Sequence, residues 1–536
     1  MTRVAMTWPR PGLRRPLWIY VAVYGLLTAI ALYPIATVTV PGLEDYPNHL
    51  ARMYILTHYN DSSSLKLYYD VRWRPIPYLG MDATFVLLGR IANTYDAGRL
   101  YVGLCVLLPV LSVAALHFAV HRRLSLVPAG AFLLSYNALL LWGFLNYLPV
   151  LCLAVIVFAG WMTTTRWPRW PRLILFSALT LVLYLGHVIA FGAYGLMVLS
   201  FEVFRALKPG PRVWRTITTD LLFAGLQAAP AIVMALSIRI ENPFIGPTPT
   251  RYGTIADKLL AITSPVLFLI SSKEVMFGAL FLVLTFVGLS TKRLKLNPDL
   301  SIVFVIVALF SLLVPVQLLG VFGMDFRLPL LAAMLLLSAI STTERASAVF
   351  KTSILCFVFL AIAVHSILIR NHLRKADSET AELRQVISAM PKGMRMLTVD
   401  ASGSPHANHH APLLAVIDRD AFVPTLFTGI MTVKPKPEFR LLSTPSGSPY
   451  PDLAQFLAGY GVASPTTDIP AGVGGRNYWL GWERNFDYLL VIHYGNRLAL
   501  TELPNVLRLV ASSDAADLYA VQEPERADSC LCAACR

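Results

Sequence analysis

The sequence predicts a polytopic α-helical membrane protein of about eleven spans, with a C-terminal α/β domain outside the membrane. Three observations carry this. Of 536 residues, 56% are hydrophobic and only 14% charged, where a soluble globular chain carries about 25% charge. Apolar runs of about 20 residues, each enough to cross a ~30 Å hydrocarbon core, recur from residue 17 to residue 370. Lysines and arginines gather in alternate loops, so the net charge of +14 reads as orientation in a bilayer and not as nucleic-acid binding.

The expected spans lie near 17–39, 100–120, 125–142, 145–163, 172–186, 188–205, 218–238, 275–290, 301–320, 327–341 and 352–370. Arg10, Arg14 and Arg15 precede the first, as in a signal peptide. That run outlasts the apolar region of such a peptide and lacks a small-x-small cleavage site, so it reads as a retained anchor. One set of loops carries Arg122/Arg123, Arg166/Arg169/Arg172, Arg205/Lys208/Arg212/Arg215, Lys292/Arg293/Lys295 and Arg345/Lys351. The turns at Gly143–Asn146 and near His187 carry no Lys or Arg. The bias puts residues 1–16 in the cytoplasm. Within the transmembrane domain, 17–370, the large first loop, 40–99, then lies outside.

After residue 370 the pattern changes. "SETAELRQVISAM" sets Leu383, Val386, Ile387 and Met390 on one helical face and stops at Pro391. Short apolar runs follow, "MRMLTV", "PLLAVI", "YLLVIHY", "LRLVAS" and "LYAVQ", punctuated by Gly, Pro, Ser and Asp as strands are. Residues 371–522 are therefore expected as an exoplasmic α/β domain, followed by a loose Cys-containing tail, 523–536.

"VTVPGLEDYPNHLARMYIL" leaves the first span and at once places Glu44 and Asp45 before a helix started by Pro47. That helix should run to about Tyr59 and lie in the membrane interface. Asp45, His49 and Arg52 share one face of it. The bland reading is a helix cap; the sharp one is a carboxylate base beside an anion site.

This arrangement of a first span, an acidic pair opening a large outer loop, an interfacial helix, many further spans and a terminal outer domain resembles the GT-C superfamily of integral-membrane glycosyltransferases. The resemblance covers roughly residues 15–370 and the placement of the tail domain. It implies a catalytic base in the first loop, at Asp45 with Glu44 assisting. It also implies a donor sugar carried on a polyprenyl phosphate, and a glycan, lipid or protein acceptor at the outer face of a bacterial cytoplasmic membrane. "EDYPNHLAR" departs from the spacing of the best-known arabinose and mannose transferases, so no particular sugar follows.

"VFGMDFRLPLL" puts Asp325 and Arg327 at the outer end of a span, where they pair or where Arg327 grips a phosphate. His187 sits in a tight outer turn and suits the same phosphate, or a hydrogen bond between helices. Arg52 and His49 complete the donor-phosphate set. Asn137 and Asn146 suit sugar hydroxyls or helix-to-helix bonds. Arg72, Trp73 and Arg74 suit head groups or interface anchoring. His406, His409 and His410 read as a loop, and Cys530, Cys532 and Cys535 as incidental or oxidised thiols. No three-ligand metal set is evident, although a divalent cation bridging carboxylate and phosphate fits the chemistry. A transporter or flippase for a lipid-linked or anionic solute, an O-antigen-ligase-like or polymerase-like enzyme, and a non-catalytic envelope assembly protein are the competing readings.

Overall fold

The computed structural model describes residues 16–208, 214–238, 250–269, 271–318, 321–402, 409–428, 431–444, 450–464, 477–495 and 503–522. His406 and the three tail cysteines fall outside them. Among the described residues six helices are long and apolar enough to cross a membrane: Leu17–Ala36, Thr94–His121, Val188–Leu207, Ile217–Ser237, Ser272–Ser290 and Ala348–Ile387. The helices Leu148–Thr163, Arg169–Gly186, Pro298–Leu313 and Arg327–Ala339 fill out the bundle. The chain is thus a polytopic helical membrane protein with a strand-containing C-terminal domain, as expected.

The span expected at 125–142 is not an α-helix. It is a 3-10 helix, Val127–Leu134, and then a single turn, Ala138–Leu141. Hydropathy reports burial and not helix type. Every residue from Pro128 to Leu140 is buried in protein, so this irregular backbone never meets lipid, where its unsatisfied groups could not be tolerated.

The last membrane helix, Ala348–Ile387, runs 40 residues without a break, about 60 Å at 1.5 Å per residue. It passes straight through the boundary expected at 370 and leads into the C-terminal domain. Leu383, Val386 and Ile387 form its buried outer face, as their spacing predicted. Two contacts fix its position. Asp377 accepts the backbone N–H groups of Thr39 and Val40 at 3.0 and 2.8 Å, holding the exit of the first span. Arg384 forks onto Asp418 at 2.7 and 3.0 Å.

In the C-terminal sheet Met396–Asp400 runs parallel to Tyr488–Ile492, with Val399 opposite Val491. Ala516–Val521 pairs antiparallel with the latter and with the edge strand Leu507–Ser512. "PLLAVI" is helical instead of a strand: a 3-10 turn, Ala411–Leu413, continues as Leu414–Arg419. An apolar run of six has no period that separates strand from buried helix; Pro412 suits a first helical turn, and contact with the first loop decides the outcome.

The first-loop helix spans Tyr46–His58. Its polar and apolar faces are both covered by protein and not laid open to lipid. All residues from Tyr46 to Ile55 except Tyr54 are buried. Tyr46 and Leu50 close on Gly98 of the second long helix, while Asn48, His49 and Arg52 meet the C-terminal domain. The same loop adds a strand, Tyr69–Val71, antiparallel to Val433–Pro435 of that domain. Asn48 Nδ2 donates to the Thr425 carbonyl at 2.9 Å, and the Phe427 N–H donates to Asn48 Oδ1 at 2.7 Å. Arg52 bonds Asp82 at 2.8 Å with both side chains almost wholly buried, and Thr432 Oγ1 donates to the other oxygen of Asp82 at 2.6 Å.

Removing one member of a buried ion pair strands the other. Asp82→Ala is therefore expected to destabilise the fold by about 3–5 kcal/mol, read as a large drop in the thermal unfolding midpoint in detergent; an unchanged midpoint would show that the pair holds nothing.

Candidate active site

Asp45 occupies the N-cap position of the first-loop helix, yet its side chain makes no capping bond. The main chain is held instead. The Glu44 N–H donates to the Leu141 carbonyl at 2.9 Å and the Asp45 N–H to the Trp142 carbonyl at 3.3 Å. So close an approach needs Gly143, whose φ is +78°; a Cβ there would lie 2.7 Å from the Asp45 nitrogen and 2.8 Å from its Cβ. The Asp45 carboxylate is thereby released from the helix and left partly exposed, with Oδ1 3.4 Å from Nε2 of His410.

Glu44 lies exposed beside it. The protein crowded around Glu44 and the negative charge of Asp45 raise its carboxyl above the ordinary range, against an opposing pull from His410. Glu44 thus keeps a proton more readily than a free carboxyl does.

His410 belongs to "HANHHAP", a stretch whose local pattern predicts a loop. The residue is buried. Its Nδ1 is 3.4 Å from Asn48 Nδ2; with the amide donating there, the proton of a neutral ring sits on Nε2, facing Asp45. Phe427 stands edge-on to both His410 and His49, with ring centres 5.2 and 5.5 Å apart. Burial first, then the charges of Arg52 and His410, push His49 well below the ordinary histidine range.

A second group lies beneath. Arg327 opens its helix, 6% exposed, with its guanidinium over the rings of Phe144 at 4.6 Å and Tyr147 at 5.2 Å. Nη2 donates to the Phe322 carbonyl at 3.3 Å, and Nε has no partner. Among the described residues no carboxylate reaches ion-pair distance of it, although Asp45 and His187 lie within its electrostatic range. Tyr147 and Tyr78 stand edge-on to His187 at 5.1 and 4.8 Å. His187 Nδ1 accepts the Ile189 N–H at 3.2 Å, which leaves Nε2 to donate. Tyr78 adopts φ +79°, a costly conformation for a bulky residue; nothing in its neighbours along the chain announced it.

Asp45, Glu44, His49, Arg327 and His187 thus gather in one region. Other expected site residues are engaged elsewhere. Asp325 pairs with Lys258 at 3.4 Å, not with Arg327. Arg52 is locked on Asp82 and Met431, so it has no free face for a phosphate. Asn137 caps a turn, accepting the Leu140 N–H at 3.1 Å and donating to the Leu134 carbonyl at 2.9 Å. Asn146 is partly exposed. Arg72 bonds Asp70, and Trp73 is exposed. Trp142 joins the rim, with ring centres 4.4 Å from Phe326 and 6.1 Å from Phe322. Among the described residues no three His, Cys, Asp or Glu side chains converge as a metal site.

Comparison with solved structures finds ArnT from Cupriavidus metallidurans in the apo state. It aligns at TM-score 0.51 and 12% identity, over 95% of this chain and 99% of that one. This chain has the ArnT fold. The architecture expected from the sequence, a many-helix membrane bundle with a strand-containing C-terminal domain, is the one observed. ArnT bound to undecaprenyl phosphate aligns over the same shares at TM-score 0.49 and 12% identity. No family model matches the sequence, and no curated protein matches it.

His49 is held neutral in the folded chain, while an unfolded chain titrates it near pH 6.5. The native state therefore binds fewer protons below that pH and loses stability as pH falls, by at most about 1.4 kcal/mol per pH unit. The unfolding midpoint followed from pH 7.5 to pH 5 should fall less steeply in His49→Gln than in the parent; parallel slopes would contradict a neutral His49.

Proposed function

We propose that this protein is a polyprenyl-phosphate-dependent glycosyltransferase that works at the outer face of the membrane with inversion at the anomeric carbon. The observation that carries the reading is Arg327, a buried guanidinium with no carboxylate partner among the described residues, within electrostatic range of Asp45 and His187. A buried cation left unpaired is strongly unfavourable, and a donor phosphate supplies the missing charge. The ArnT fold supports the reading from a second side, since ArnT binds undecaprenyl phosphate.

In this mechanism Arg327 and the Nε2 proton of His187 hold the phosphate of the donor. Asp45 takes the proton of an acceptor hydroxyl as that oxygen attacks the anomeric carbon. The bond from that carbon to the phosphate oxygen breaks, and the polyprenyl phosphate leaves with the electron pair, its charge met by Arg327. His410 orients Asp45. Glu44, which holds its proton more readily, donates a hydrogen bond to donor or acceptor. Asn146 and the Trp142 rim face the sugar. A divalent cation, were one used, would be held by Asp45 or Glu44 and would supply positive charge for the leaving phosphate. The basic loops orient the N-terminus to the cytoplasm and the C-terminal domain to the periplasm or cell exterior.

With purified protein, a polyprenyl-phosphate sugar and an acceptor panel, Asp45→Asn should lower turnover about 10²–10⁴-fold with the fold intact. Arg327→Ala should both weaken donor binding and slow transfer about 10²–10³-fold. Full activity in either variant removes its residue from the mechanism.

Gly143→Ala tests positioning. Its methyl group strikes Asp45 directly and reaches Arg327 only through the neighbouring Phe144 ring, so turnover should drop about 10²-fold, the cost of ångström-scale misplacement, and by more than donor affinity does. An equal loss of donor affinity would mean that Asp45 and Arg327 are not separate functions.

A further inference from the structure

On the side of the bundle opposite Asp45, a cavity of about 370 Å³ opens between the first span, the 3-10 segment and the helices Ser272–Ser290 and Ala348–Ile387. That volume lies within the range of sites that hold small ligands, roughly 300–1,000 Å³. Phe281, Leu337 and Phe350 give it apolar walls, Ser125 contributes a hydroxyl, and Arg123 and Lys351 bring two cations. Among the described residues no Asp or Glu lines it. The Arg123 guanidinium makes one hydrogen bond among the described residues, from Nη2 to the Thr342 carbonyl at 3.1 Å. The Lys351 ammonium makes none there and joins no ion pair.

We infer that this cavity binds an anionic phospholipid, with the phosphate between Arg123 and Lys351 and the glycerol and first acyl carbons along the aromatic and leucine wall. Two uncompensated cations above apolar surface match an amphiphilic anion. A free organophosphate would leave that surface bare, and a neutral lipid would leave the cations unmet. The cavity also lies at the basic end of the bundle, among the loops carrying Arg122/Arg123, Lys292/Arg293/Lys295 and Arg345/Lys351, and therefore at the leaflet that the positive-inside bias assigns to the cytoplasm and that is rich in anionic lipid. Basic pockets between membrane helices on that side recognise such head groups. Seated there, the lipid fills the space beside the 3-10 crossing, where helices pack less regularly. This site is independent of the proposed transferase chemistry on the other side.

The test uses the full-length protein in neutral detergent, titrated with phosphatidylglycerol, phosphatidylcholine or soluble glycerol 3-phosphate. Thermal unfolding and native mass spectrometry supply the readouts. Phosphatidylglycerol should raise the midpoint and stay bound as a discrete adduct, and the other two should do neither. The double variant Arg123→Gln/Lys351→Gln should lower phosphatidylglycerol affinity at least fivefold. Equal retention of phosphatidylcholine, parental phosphatidylglycerol affinity in the double variant, or a full shift from glycerol 3-phosphate alone would each overturn the inference. Should the double variant fail to fold, Lys351→Gln at its partly exposed position is judged by the same criteria, with a twofold or greater loss expected and unchanged affinity overturning the inference.

Discussion

The polar face of the first-loop helix is buried against the C-terminal domain, and the rest of the molecule is arranged around that burial. Polar groups taken out of water favour partners, and most along this face find one, His49 Nδ1 and Arg52 Nε excepted among the described residues. Asn48 satisfies its amide on the main chain of Thr425 and Phe427. His49 meets an aromatic ring and stays neutral. Arg52 is neutralised by Asp82. Only Asp45, at the open end, keeps solvent access and an incomplete partner in His410. One interface is therefore closed along most of its length and open at its edge, where the proposed chemistry would take place.

That edge is assembled from segments far apart in the chain. The turn at Trp142–Gly143 grips the main chain of Asp45, the hairpin before Arg327 supplies the Phe322 carbonyl, and the C-terminal domain supplies His410. Gly143 and Gly323 both hold positive φ, and both permit backbone to approach where a side chain would collide. Asp325 turns to Lys258. The nearest acid in sequence is thereby withdrawn from Arg327, which stays cationic among aromatic rings. A charge kept this way near a membrane is expensive, and the lack of a carboxylate partner among the described residues is what the proposed donor phosphate would answer.

Much of this could be read from residue order. Apolar run length marked the membrane helices, Pro47 marked the start of the first-loop helix, and the spacing of Asp45, His49 and Arg52 correctly put them on one face. The sequence did not reveal what that face meets. Its mixed character is equally that of a helix at a lipid surface and of one between two protein layers, since each offers an apolar and a polar side. The pairings Asp325–Lys258 and Asp45–His410 join residues 67 and 365 positions apart, and no local period encodes them. "HANHHAP" reads as a loop by local pattern, yet His410 stands at a helix start marked by Pro412, which tucks it under the first loop. The 3-10 crossing was hidden for a related reason, because a fully buried segment is apolar whatever its backbone does.

The continuity of Ala348–Ile387 bears on how an acceptor would reach Asp45. A rigid rod joins the bundle to the C-terminal domain. The paired strands at Tyr69–Val71 and the Asn48 bonds fasten that domain a second time, from the first loop. Swinging it away would break a two-stranded sheet and several buried polar contacts at once, and would expose Arg52 and Asp82 together. Glu44 and the partly exposed edge of Asp45 already face outward without any such motion. In the proposed reaction an acceptor hydroxyl would approach along that edge, past Trp142, with the C-terminal domain as a wall of the site and His410 beside the carboxylate.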